Sequence, residues 1–178
     1  MVSLVVIFWM YVIMFGIIGA MRGWAKELLV TFSVILALFF ITVLEIFVPF
    51  IRDVLSFGNG APLFWIRLGI TTILVLFGYQ TPNIPRLANA NRFARERLQD
   101  ILLGFFIGMA NGYFVIGTVW YYLNAASYPF PTIIPAPTGE VLTLVNKYMP
   151  ILPPALLGTP AIYFAVAVAF AFVLMVFI

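Results

Sequence analysis

A chain of 178 residues in which 65% are hydrophobic, 17% aromatic and only 8% charged has too little polar surface to coat a water-soluble globule, so lipid is the expected solvent for most of it. Cysteine and histidine are both absent, which excludes disulfides, thiolate chemistry, Cys/His metal sites and histidine-ligated haem or chlorin pigments. Nine Lys/Arg against six Asp/Glu leave a net charge of +3, too small to point to a nucleic-acid partner.

A membrane span needs about 20 mostly apolar residues. The first segment that qualifies is Val2 to Ala20. It has no basic stretch before it, is longer than the apolar region of a signal peptide, and continues into "AMRGWAKE", a poor cleavage context, so it reads as a retained span. Its inner end collects small residues: Gly16, Gly19, Ala20 and Gly23. The charged break "MRGWAKE" leads to a second span, Leu28 to Val48, with Glu45 near its far end. "IRDVLSFGNGAP" then ends in turn formers, and the third span, Leu63 to Tyr79, carries Arg67 near its start.

The next connection opens with two prolines and holds Arg86, Arg92, Arg95 and Arg97. Its last part, Ala90 to Asp100, has Arg92 four residues before Glu96 and an apolar edge of Ala90, Ala94, Leu98 and Ile101, a spacing that predicts a helix lying along the membrane surface and leading into the fourth span. The fourth span, Ile101 to Leu123, contains "LLGFFIGMANGYF", where Gly104, Gly108 and Gly112 recur every four residues on one helical face. Glycine weakens a helix in water. In lipid, helices gain nothing hydrophobic by touching, and small residues four apart form a groove that lets two backbones approach. The stripe therefore predicts a packing face, with Asn111 beside it to supply an interhelical hydrogen bond. The glycines of the first span are its obvious partners.

A proline-rich stretch from Asn124 to Thr159 follows, expected to be a long ordered loop. Within it "TGEVLTLVNKYM" places Val141, Leu142, Val145, Tyr148 and Met149 on one helical face after a Thr138 cap, as an interfacial helix would. A fifth span runs from Pro160 to Ile178. Trp24 and Trp65 mark where spans begin, and Trp120, Tyr121 and Tyr122 where the fourth ends, as interface-seeking rings should.

Alternating five spans gathers six Lys/Arg in the first and third connections and leaves Arg52, Arg67 and Lys147 opposite. Basic loops are cytoplasmic, so the N-terminus is expected outside and the C-terminus inside. On the inner face Arg22, Lys26, Arg92, Arg95 and Arg97 can meet anionic headgroups. The expected fold class is all-α: a polytopic integral membrane protein of five transmembrane helices with short interfacial helices.

Two stretches resemble the colicin V production (CvpA) family. "GAMRGWAKELL" is similar to that family's arginine-glycine turn after the first span, matched by Arg22, Gly23 and Glu27. "LQDILLGFFIGMANGYFVIGTVW" is similar to its aspartate followed by a triple-glycine helix, matched by Asp100, Gly104, Gly108 and Gly112. Ser3, Ile101 and Asn111 stand where members commonly carry an aspartate, a basic residue and an arginine. The resemblance covers residues 2 to 123 and implies a four-helix domain there; the extracytoplasmic proline-rich loop (124 to 159) and an additional span (160 to 178) lie beyond the family's pattern. It further implies a bacterial inner-membrane protein linked to colicin V export and envelope maintenance, without established catalysis.

No enzyme signature stands out. Ser3, Ser33, Ser56 and Ser127 sit in apolar or turn contexts without a nucleophile motif, and no cofactor or metal is expected. Glu45 and Arg67 are the ionisable residues read as closest to the membrane interior, each able to snorkel to the surface or pair with the other. Relays usually place carboxylates near mid-membrane, and no transporter-like repeat is visible, so a structural ion pair is the expected role. The expected partners are the bilayer and other membrane helices, with no soluble substrate. The sequence equally suits an accessory subunit of a larger respiratory, photosynthetic or secretion assembly; a small channel or transporter requires a polar lining that the sequence does not reveal.

Overall fold

The computed structural model describes residues 4–48, 50–51, 60–80 and 94–177, and at 94–96 and 176–177 the backbone alone. In chain order the elements are α1 (Leu4–Arg22), α2 (Trp24–Phe47), α3 (Ala61–Tyr79), α4 (Ala94–Ala125), α5 (Gly139–Tyr148), a 3-10 turn (Met149–Ile151), α6 (Pro153–Leu156) and α7 (Ala161–Phe177). No strand occurs among the described residues.

Among the described residues four helices, α1 to α4, are long and apolar enough to cross a membrane. At 1.5 Å per residue, 19 residues of α1 or α3 reach about 28 Å, close to the hydrocarbon thickness of about 30 Å. Helix α7 is apolar throughout but shorter, at 17 residues. The outer surface is greasy: Phe77, Phe164 and Met175 are 70% exposed or more, a surface that suits acyl chains and not water.

The chain breaks where the sequence says it should. Gly23, at φ 85° and ψ 155°, turns α1 into α2. Left-handed Gly60 precedes α3, whose first turn contains Pro62, tolerated there because its missing N–H has no helical partner.

Helix α1 runs antiparallel to α4 along its whole length, and α2 packs against both α3 and α4. Helix α7 leans on α2, where Phe32 meets Phe172 and Phe39 meets Tyr163, while fully buried Ile162 enters a core of Leu38, Ile41, Phe64 and Tyr122.

The helix expected to lead into the fourth span is continuous with it from Ala94, because nothing between Ala94 and Ile101 breaks a helix. Residues 90–93 lie outside the described residues. Trp120 and Tyr122 do not sit at the lipid interface but in the core, 5% and 6% exposed: Val145 of α5 and Leu152 cover Trp120, whereas Tyr122 packs among Leu38 and Ile41 of α2, Phe64 of α3 and Ile162 of α7. The apolar face of α5 is split: Val145 is buried against Phe8, Trp120 and Leu152, whereas Val141 and Leu142 are exposed. Thr138 occupies the N-cap position, but its side chain makes no capping hydrogen bond.

Candidate functional site

Two features carry polar or close-packed chemistry inside the bundle: a backbone seam between α1 and α4, and a buried polar cluster beside it.

The seam is built from bare backbone. A β-carbon on Gly19 would collide with the carbonyl oxygen of Gly104 and stand 2.8 Å from Gly108 Cα. One on Gly108 would collide with the carbonyl oxygen of Phe15, and one on Gly112 would lie 2.9 Å from Val12 Cα. Gly16 faces the side chains of Met109 and Phe105. The two sets of small residues thus face each other within one chain, and the groove is filled.

Gly23 closes the seam at the C-terminal end of α1. Its backbone occupies a region of φ/ψ essentially reserved for glycine, and a β-carbon would lie 2.8 Å from both carboxylate oxygens of Asp100. Helix α2 has no capping side chain of its own. Asp100 of α4 supplies the missing acceptor: its Oδ1 takes a hydrogen bond from Trp24 N at 3.1 Å, placing a negative charge at the positive end of α2.

One turn further along, Glu27 is completely buried. Its Oε1 accepts from Arg22 Nη1 at 2.5 Å and its Oε2 from Asn111 Nδ2 at 2.8 Å. The second proton of that amide goes to the Glu27 carbonyl at 2.9 Å, and Thr31 Oγ1 donates to Asn111 Oδ1 at 2.7 Å. Asn111 thereby uses its whole side chain, as a buried amide must. Arg22 also donates to the Tyr79 carbonyl at 3.2 Å and stacks over the Tyr79 ring, 4.3 Å from its centroid. One cluster therefore joins α1 (Arg22), α2 (Glu27, Thr31), α3 (Tyr79) and α4 (Asn111).

The cluster sits toward one end of the bundle: Glu27 lies in the first turn of α2, Arg22 is the last residue of α1 and Tyr79 the last of α3, and the Glu27 carboxylate reaches Asn111, next to Gly112 of the seam. Sequence reading singled out Glu45 and Arg67, and the structure adds Glu27 as a carboxylate buried within the protein. Composition could not reveal it, because Glu27 precedes the apolar run of α2 and looks like part of a charged turn. The available signal was spacing: Glu27 and Thr31 are four apart, on one face of an otherwise apolar helix.

At the opposite end of α2, Glu45 Oε1 accepts from Arg67 Nε at 2.7 Å, and the Arg67 guanidinium lies 4.9 Å from the Tyr122 ring centroid. Both side chains keep some exposure, 28% and 16%. Of the residues expected at headgroups, Lys26 and Arg97 are exposed and Arg22 is turned inward; Arg92 lies outside the described residues, and of Arg95 only the backbone is described. Among the described residues no group of three or more Asp or Glu could hold a metal ion.

Comparison with protein-family models, with curated proteins and with solved structures finds no match to this chain.

Proposed function

We propose that this chain is a CvpA-like, non-enzymatic component of the bacterial cytoplasmic membrane, linked to export or envelope maintenance and acting through helix packing. In this reading α7 is a fifth span, the N-terminus lies outside and the C-terminus inside.

The observation that supports it is the meeting of the two motifs that carry the resemblance. They lie about 80 residues apart, a separation set by three connections. In the fold Asp100 caps the helix that starts after Gly23, and Gly104 and Gly108 receive Gly19. Residues that look like unrelated motifs in the sequence thus form one joint, which is what a family constraint on both would require.

The second reading, an accessory subunit of a larger membrane assembly, draws on the exposed aromatic and apolar side chains of α1 and α7, including Trp9, Met14, Phe164 and Phe170. Because the glycine groove is occupied within the chain, a partner would have to use these bulkier faces.

Extraction in mild detergent separates the two. An independent factor runs as this chain alone at every concentration, and its deletion sensitises cells to envelope stress; a subunit runs in a stoichiometric particle with other membrane proteins. A chain that runs alone and whose deletion leaves envelope integrity and export unchanged would remove both readings.

A further inference from the structure

Helix packing explains the glycine seam but leaves the polar interior without a purpose. An ion pair buried in a membrane bundle is costly to desolvate, and well-packed apolar residues could hold the same helices together. Yet Glu27 is completely buried, with groups from all four long helices turned toward it: Arg22, Thr31, Tyr79 and Asn111.

The polar groups continue toward the other face. On α4, Asn111, Thr118 and Tyr122 are all buried and stand at intervals of seven and four residues, hence on one helical face. Along the axis these steps are about 10 Å and about 6 Å. Tyr122 is the ring under Arg67, which pairs with Glu45, so the file ends at a second carboxylate with partial access to the surface.

Thr118 is the telling station. A helical threonine usually returns its hydroxyl to the carbonyl one turn back. Thr42 and Thr71 do so here, donating to Leu38 and Arg67, and Thr31 keeps its preceding-turn carbonyl within 3.2 Å. The Thr118 hydroxyl is completely buried and has no hydrogen-bond partner among the described residues, and the same holds for the Tyr79 hydroxyl beside the inner cluster. Buried hydroxyls are seldom left so, and each is a place where a water molecule can bind.

We propose that this file conducts protons across the protein, from Glu45 at one face through water held at Thr118 to Glu27 and out past Arg22. Each carboxylate takes a proton onto one oxygen and releases one onward, so a single H⁺ moves down its gradient and no other bond changes. Arg22 balances Glu27 while the carboxylate is ionised, and the Tyr79 ring keeps the guanidinium in place when it is not. Val34 and Val75, packed together with Val115, put apolar side chains between the polar stations. A hydrated Na⁺ or K⁺ finds no continuous polar lining there, whereas a proton needs only a short, transient chain of waters past the valines.

The test uses the purified full chain in liposomes, with a valinomycin-clamped K⁺ gradient driving H⁺ uptake read by quenching of an acridine dye. Wild-type vesicles should acidify well above protein-free vesicles. Glu27→Gln, which keeps the size and hydrogen-bonding reach of the side chain, should fall to the protein-free rate. Thr118→Val, nearly isosteric, should slow uptake about tenfold, the rate equivalent of one lost hydrogen bond in the path. Each variant is checked for wild-type helicity and a single gel-filtration peak, and if Glu27→Gln fails that check Thr118→Val decides. Wild-type vesicles no faster than protein-free ones, or a folded Thr118→Val that conducts like wild type, would overturn the proposal.

Discussion

Gly19 and Gly69 are both glycines within long apolar helices, and they should respond to the same substitution in opposite ways. At Gly19 a methyl group meets the backbone of Gly104 and Gly108, atoms that cannot rotate aside. Gly19→Ala is therefore expected to destabilise the bundle by about 1–3 kcal/mol, measured by reversible SDS titration in mixed micelles. Gly69 has nothing within 4 Å of the added carbon, so Gly69→Ala should leave the midpoint unchanged or raise it slightly. Gly23→Ala combines a disfavoured backbone with a collision at Asp100 and should cost about 1–3 kcal/mol in the same titration. The four-residue spacing of the glycines was legible in the sequence, because it fixes a helical face whatever the neighbours are. The burial of Glu27 was not, since a residue just inside a helix start faces solvent or core according to what packs there.

Between elements, the joints differ in what they are worth. Asn111 ties α4 to α2 through a fully used amide, so Asn111→Leu strands a buried carboxylate oxygen, while the Thr31 hydroxyl falls back on the Glu27 carbonyl. The expected loss is about 1–3 kcal/mol, read in the same SDS titration. Asp100→Ala removes a cap that α2 cannot replace and should cost about 1 kcal/mol, with faster hydrogen exchange confined to the first turn of α2. The Glu45–Arg67 pair at the other end is partly exposed, and Arg67 retains its contact with the Tyr122 ring if the carboxylate is lost. A double-mutant cycle with Glu45→Gln and Arg67→Gln should give a coupling below about 1 kcal/mol. The sequence suggested this pair from the positions of two lone charges. It did not suggest the cap, which joins residues 76 apart.

Across the whole molecule, hydropathy reads the four long helices well, with ends within four residues of those expected except the start of α4, which comes seven residues earlier. The misread parts are those where the outcome depended on a neighbour. The aromatic end of α4 is covered by α5 and the 3-10 turn that follows it, with the Tyr113 hydroxyl donating to the Ile151 carbonyl and Trp9 Nε1 donating to Tyr148. Single cysteines at exposed Lys147 and Arg97 test the expected topology. A membrane-impermeant maleimide should label the first in intact spheroplasts and the second only after permeabilisation.

By itself the sequence determined that this chain is helical and apolar, where its long helices break, and that two faces lined with glycine would pack closely, because composition and spacing act within a single helix. Only the tertiary structure decided that those faces meet each other, that Asp100 caps α2, and that the Glu27 carboxylate is enclosed among four helices. Each of these depends on the direction in which one helix crosses another, and crossing is set by the summed fit of side chains on several helices at once.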